Sequence, residues 1–261
     1  MMAGQVSGAA IGGMIVTTLI CLGIPAAALI YGVVKKKGTF ISVLIGAGTF
    51  IVFALVLENM LHLLMQTVFK EQLTENLWLY ALYGGLAAAI FEETGRFLSM
   101  KFLMKKSLTK GNAFMYGIGH GGVEAIIVTG TTCISNIVFS VMINAGQLEK
   151  LISGLEGTLK EQAMTQISAL WTTPAHLFYL AGVERIGAFI LQLCFSYIVY
   201  RAIKDRKASL FFLAMAIHFI VDAGTVVLSK TCSVYLTEAV LAIFAAALAI
   251  IVFRNYKAEK E

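Results

Sequence analysis

Charge is scarce in this sequence. Of its 261 residues, 13% are Asp, Glu, Lys or Arg and 59% are hydrophobic, with a mean hydropathy of +0.84. A soluble domain of this length carries more charge on its surface, so that class is excluded. A CxxC pair, an even-numbered extracellular cysteine framework and an HExxH helix are also missing. Cys21, Cys133 and Cys194 fall in apolar segments and Cys232 stands alone in a connection, which leaves no basis for a thiolate metal site or a disulfide scaffold. No low-complexity tract, soluble-domain boundary or clear internal repeat interrupts the chain. Residues 1–13 contain no basic side chain, and the first lysines follow the first apolar run. The N-terminal segment therefore reads as a retained span and not as a cleaved signal peptide.

What is present is a series of apolar runs long enough to cross a bilayer. They predict an all-α, polytopic transmembrane bundle of about seven spans: 8–34, 40–65, 77–100, 112–145, 174–200, 208–228 and 234–253. The whole chain, 1–261, reads as a single integral membrane domain.

Lysine and arginine alternate along the connections. Lys35, Lys36 and Lys37 follow the first span, Lys101, Lys105, Lys106 and Lys110 the third, Arg201, Lys204, Arg206 and Lys207 the fifth, and Arg254, Lys257 and Lys260 the last. The other connections hold Lys70, Lys150, Lys160 and Lys230. By the positive-inside rule the N-terminus is outside and the C-terminus cytoplasmic in the cell membrane. The net charge of +5 then reports topology and contact with anionic lipid, and nothing calls for a nucleic-acid partner.

Trp78 and Trp171 fall where an outer aromatic belt would lie. Thr172, Thr173 and Pro174 read as a cap and first-turn proline opening the fifth span. Between residues 146 and 173, Leu148, Leu151, Ile152, Leu155 and Leu159 recur at helical spacing, which predicts a short surface helix strapped over the bundle, with Gly154 and Gly157 against it.

Against this apolar background stand clusters of ionisable residues. In Phe91-Glu92-Glu93-Thr94-Gly95-Arg96, Glu92 and Arg96 share a helical face and Glu93 is three residues from Arg96. One carboxylate can be held ionised by the guanidinium while its neighbour exchanges a proton, which suits a general base acting on water. In Gly117-Ile118-Gly119-His120-Gly121-Gly122-Val123-Glu124, His120 and Glu124 share a face. Gly117 and Gly121 form a GxxxG surface that lets another helix approach closely. His218 and Asp222 repeat the four-residue spacing, and Asp222 can orient the imidazole.

At about 1.5 Å per residue, Glu93, His120 and His218 lie at depths of roughly 10, 12 and 15 Å from one side, so one pocket can hold all three. Glu184 and Arg185 fall near mid-membrane, beside that pocket or neutralising it; Glu58 and His62 form a further same-face pair with a structural or gating role; His176 is interfacial. Facing lipid unpaired, buried acids and arginines cost about 2.5–3.5 kcal/mol each. For eight of them the cost exceeds a whole folding stability of roughly 5–15 kcal/mol. They must face inward, pair, or hold water.

The Glu-Glu-x-x-Arg helix, the Gly-His-Gly-Gly-x-Glu segment and the His-x-x-x-Asp helix, in this order, resemble the YhfC-type intramembrane proteases. That family is similar in turn to CAAX-prenyl endopeptidases, bacteriocin-processing membrane proteases and PrsW-type proteases. The resemblance covers essentially the whole chain. It implies a peptidase cutting a membrane-anchored peptide or protein, with Glu92, Glu93, Arg96, His120, Glu124, His218 and Asp222 as candidate catalytic residues. Glu93 or Glu92 would activate water with Arg96 as partner, His120 would bind water or the carbonyl, and His218 with Asp222 would serve the oxyanion.

The prenyl-endopeptidase pattern has one residue more before its arginine and ends in Asn where Asp222 stands, so the choice between Glu92 and Glu93 stays open. Two histidines and a carboxylate, namely His120, His218 and Glu93, could hold a divalent metal such as zinc, whereas glutamate with histidine can activate water without one; the missing HExxH inclines towards the latter. The rival readings are a proton- or cation-coupled transporter and a non-catalytic scaffold or immunity protein. Missing inverted repeats weigh against transport.

Overall fold

The computed structural model describes residues 4–69, 73 and 75–259; Lys70 and Lys260, and the first three residues of the N-terminal segment, lie outside them. Among the described residues there are helices and no strands. We number them α1 (Gly8–Val34), α2 (Phe40–Phe69), α3 (Leu77–Leu98), α4 (Lys110–Asn144), α5 (Leu148–Ile152), α6 (Gly157–Thr172), α7 (Ala175–Lys204), α8 (Ala208–Thr231) and α9 (Val234–Ala258).

Six of these, α1, α2, α4, α7, α8 and α9, are long and apolar enough to cross a membrane. The remaining expected span is α3, whose 22 residues reach about 33 Å. Its Glu92, Glu93 and Arg96 dilute its apolarity. The protein is a multi-pass helical membrane protein.

Local chemistry sets several ends. The Asn76 side chain caps α3, accepting from the backbone N–H groups of Trp78 at 3.0 Å and Leu79 at 3.1 Å. Wider π turns occupy Ile51–Glu58 in α2, Ala125–Gly130 in α4 and Ser99–Leu103 after α3. Each lies next to an ionisable cluster, as such turns often do.

The expected surface helix over 146–173 is instead two helices, α5 and α6. Gly154 (φ +83°) and Gly157 (φ +54°) take left-handed backbone conformations that end one and start the other. The threonines before Pro174 also serve differently from the expected cap. Thr172 ends α6 with its hydroxyl donating to the Ser168 carbonyl at 2.9 Å, and Thr173 is the C-cap of that helix.

Contacts gather the chain into two compact units. One comprises Met1–Ile24 and Ala125–Ile186. Its core is Val6, Ala10, Met14, Cys133, Ile143 and Leu170, on which Leu148, Leu151 and Trp171 pack, so α5 lies against the core of this unit. Asn144 closes it, accepting from Val6 N at 2.8 Å and donating to Val6 O at 2.9 Å.

The other unit comprises Pro25–Glu124 and Gly187–Glu261. Its core includes Met100, Met104, Tyr116, Phe195, Val199 and Ala214. Here the first half of α2 packs on the first half of α4, and α3 on α8. A Cβ on Gly46 would strike the Tyr116 carbonyl and one on Gly119 the Val43 carbonyl, so these glycines allow backbone-to-backbone approach of α2 and α4. At the end of α9, the Glu259 carboxylate accepts from Tyr197 Oη at 2.8 Å, Tyr200 Oη at 2.6 Å and Lys204 Nζ.

Candidate active site

Within this second unit the separate sequence clusters close into one. On α3, the Arg96 Nε donates to Glu93 Oε2 at 3.1 Å, one helical turn away. On α8, His218 Nδ1 lies 2.8 Å from Glu93 Oε1. Both oxygens of Glu93 are therefore engaged, and the side chain is fully buried. Glu92, its neighbour, points elsewhere: Oε2 lies 3.0 Å from His120 Nε2 on α4, while Arg96 Nη2 stays 3.9 Å away. His218 Nε2 is 3.4 Å from Asp222 Oδ2.

The rings are held by packing. Phe195 stacks on His218 at 4.7 Å between centroids, Tyr116 stacks on His120 at 6.0 Å, and Phe50 meets His120 edge-on at 5.3 Å. The closed side of the cluster is Glu93, Arg96 and His120, with no exposed side-chain surface; Glu92 (10%) and Asp222 (36%) face its open side. Glu93, His120 and His218, expected from depth to share a pocket, belong to one hydrogen-bonded network.

Two members were not expected. Gln192 Nε2 on α7 donates to Glu92 Oε2 at 3.0 Å, and its Oε1 accepts from Arg96 Nη2. Ser196 Oγ accepts from Arg96 Nη1 at 2.6 Å. A faint signal existed: both are polar residues in an apolar span, four residues apart on one face.

Glu58, on α2, borders the cluster, within electrostatic reach of Glu92, His218 and Asp222. His120 turns its Nε2 to Glu92 rather than to Glu124, which is half-buried at the end of the α-helical part of α4. Glu58 and His62 pair at 3.3 Å, and His62 Nδ1 lies 2.6 Å from Tyr83 Oη. Glu184 and Arg185 pair with each other in the first unit, and His176 is exposed.

In a polytopic helical membrane protein, adjacent carboxylates held by an arginine and two histidines form a costly buried cluster of the kind that marks a candidate functional site. The family described as YhfC intramembrane metalloprotease matches residues 19–245, and the chain belongs to that family. It is also 37% identical over 200 residues, 75% of this chain and 76% of the relative, to the uncharacterized membrane protein YhfC of Bacillus subtilis (strain 168). No solved structure matches.

The family description implies a metal. His120 Nδ1 is buried and makes no hydrogen bond, the kind of nitrogen a metal ion takes. Yet His218 faces carboxylates with both nitrogens and Glu93 engages both oxygens. Among the described residues no three His, Cys, Asp or Glu side chains form a group that could hold an ion. Catalytic zinc takes three protein ligands, and as arranged these side chains do not make that centre.

Proposed function

We propose that the chain is an intramembrane endopeptidase that hydrolyses a peptide bond of a membrane-anchored protein or peptide with water activated by glutamate and histidine. The observation that carries this reading is the different treatment of two neighbouring carboxylates. Glu93 is enclosed between Arg96 and His218, whereas Glu92, on the open side, is held through one oxygen by His120 and Gln192. A group that takes a proton from water needs an accessible oxygen in a fixed direction, and Glu92 has one.

In this mechanism Glu92 removes a proton from water as the water oxygen bonds to the scissile carbonyl carbon. The carbonyl π pair moves to oxygen, and the oxyanion accepts a hydrogen bond from His218 Nε2, whose contact with Asp222 is long enough to exchange. Glu92 then returns the proton to the leaving nitrogen as the C–N bond breaks. Glu93 keeps its charge, holding His218 by Nδ1 so that Nε2 points outward. His120 donates to Glu92 through Nε2 and so fixes the direction of that carboxylate. The same reading places the N-terminus outside and the site in the cytoplasmic half of the bilayer, as the lysine distribution expects.

The test is cleavage of a library of membrane-anchored fluorogenic peptides by the purified full chain in proteoliposomes, with Glu92→Gln as control. Cleavage lost in the variant supports the reading. Proton flux across the vesicle without any cleavage would favour transport and overturn it.

A further inference from the structure

Gln192, on α7, bridges Glu92 and Arg96 of α3. Its side chain is buried, donates to Glu92 Oε2 at 3.0 Å and accepts from Arg96 Nη2; its backbone carbonyl accepts from Arg96 Nη1 at 3.3 Å and from Ser196 Oγ at 2.7 Å. The amide orientation is dictated by its neighbours. Reversed, its oxygen would face a carboxylate and its NH2 a guanidinium, and neither pair could bond.

Space for it is built into α4. A Cβ on Gly121 would come within 2.8 Å of Gln192 Cβ and 3.2 Å of its Cγ, and one on Gly117 within 2.9 Å of Ser196 Oγ. The GxxxG face is therefore the seat of the Gln192 and Ser196 turn of α7.

The consequence concerns charge. Arg96 has an Nη2 on the Glu92 side, yet that nitrogen is spent on Gln192 and lies 3.9 Å from Glu92. Its Nε stays with Glu93 at 3.1 Å. We propose that Gln192 is a positioning residue for the hydrolysis: it orients Glu92 through one oxygen and keeps the Arg96 guanidinium on Glu93. It rests on the reading of Glu92 as the base. Without Gln192 the guanidinium is free to bridge both carboxylates, and a base locked to a cation is a poorer acceptor for the proton of water.

Two isosteric substitutions separate this role from simple packing. Gln192→Glu keeps the acceptor for Arg96 and replaces the donor to Glu92 by a second acceptor; Gln192→Met removes both. Infrared spectra of the full chain in proteoliposomes identify the Glu92 carboxylate bands by their absence in Glu92→Gln. Those bands are expected to shift in both Gln192 variants. On a membrane-anchored peptide that the parental chain cleaves, kcat is expected to fall on the order of 100-fold, as for a misplaced catalytic group, with KM little changed. Gly121→Ala, which pushes on the Gln192 stem, is expected to lower kcat in the same direction.

Parental bands and parental kcat in Gln192→Glu would overturn the proposal while leaving the hydrolysis reading intact. Parental kcat in Glu92→Gln would instead remove the base assignment. If Gln192→Glu unfolds, the double variant Glu92→Gln with Gln192→Glu restores an amide–carboxylate pair in reverse. Recovery of its thermal midpoint supports the pairing, and no recovery together with parental kcat in Gly121→Ala overturns it.

Discussion

His218 Nδ1 lies 2.8 Å from Glu93 Oε1 across 125 residues of chain. That contact makes the histidine's other nitrogen the one that points to the open side, and it makes Glu93 part of the scaffold of the site. The two adjacent glutamates therefore differ in what their loss should do.

Glu92→Gln is expected to keep the fold and lower turnover by about 10²- to 10⁴-fold, the range of a general base. Glu93→Gln should cost stability as well, roughly 3–5 kcal/mol, because it leaves Arg96 buried without its ion-pair partner. Thermal unfolding in detergent beside a cleavage assay separates them. Equal stability losses in the two variants would contradict the division of roles.

Arg96→Lys preserves charge and should still fail. The guanidinium reaches Glu93, Ser196 and Gln192 with three different nitrogens, and the single nitrogen of an ammonium cannot. Each buried acceptor left unbonded costs about 1–3 kcal/mol. A lowered thermal midpoint together with lost cleavage is expected; parental values for both would reduce Arg96 to a counter-charge.

Asp222 is the most open member of the site, with 36% of its side chain exposed and a 3.4 Å contact to His218 Nε2. Asp222→Asn should therefore change stability by about 0.5 kcal/mol or less and act mainly on kcat through the orientation of the ring. A large stability loss with unchanged kcat would assign Asp222 to the fold instead.

Outside the spans, Glu259 gives a pH signature. Burial pushes its carboxyl up, but hydrogen bonds from Lys204, Tyr200 and Tyr197 outweigh this and hold it below its ordinary value of 4.5. A depressed carboxyl contributes stability that is present above the unfolded value and is lost as the pH falls through the folded one. Glu259→Gln should accordingly lower the thermal midpoint at neutral pH, with the gap to parental closing as the pH falls below about 4. A gap that is constant down to pH 3 would show that packing, not charge, carries the contact.

Chelator treatment bears on the family's implied metal. Because His218 and Glu93 already engage both of their polar atoms with protein partners, cleavage is expected to survive dialysis against a strong chelator. Complete loss, restored by added zinc, would mean that the side chains regroup around an ion.

Composition and periodicity determined a good deal. The membrane class, the approximate spans and the facing of Arg96 by Glu93 and of His218 by Asp222 follow from helical spacing and from the cost of burying charge, both of which act locally along the chain. Even the meeting of Glu93, His120 and His218 was legible, since depth in a bilayer is counted from span ends. The sequence could not tell Glu92 from Glu93, because one residue of offset turns the two side chains by about 100° towards neighbours that only packing supplies. Nor could it single out Gln192 and Ser196: ordinary polar residues in isolation, they matter because Gly117 and Gly121 let α7 come close enough for them to reach Arg96. Hydrogen bonds between helices a hundred residues apart are decided by tertiary approach, and that is where the two carboxylates acquire different partners.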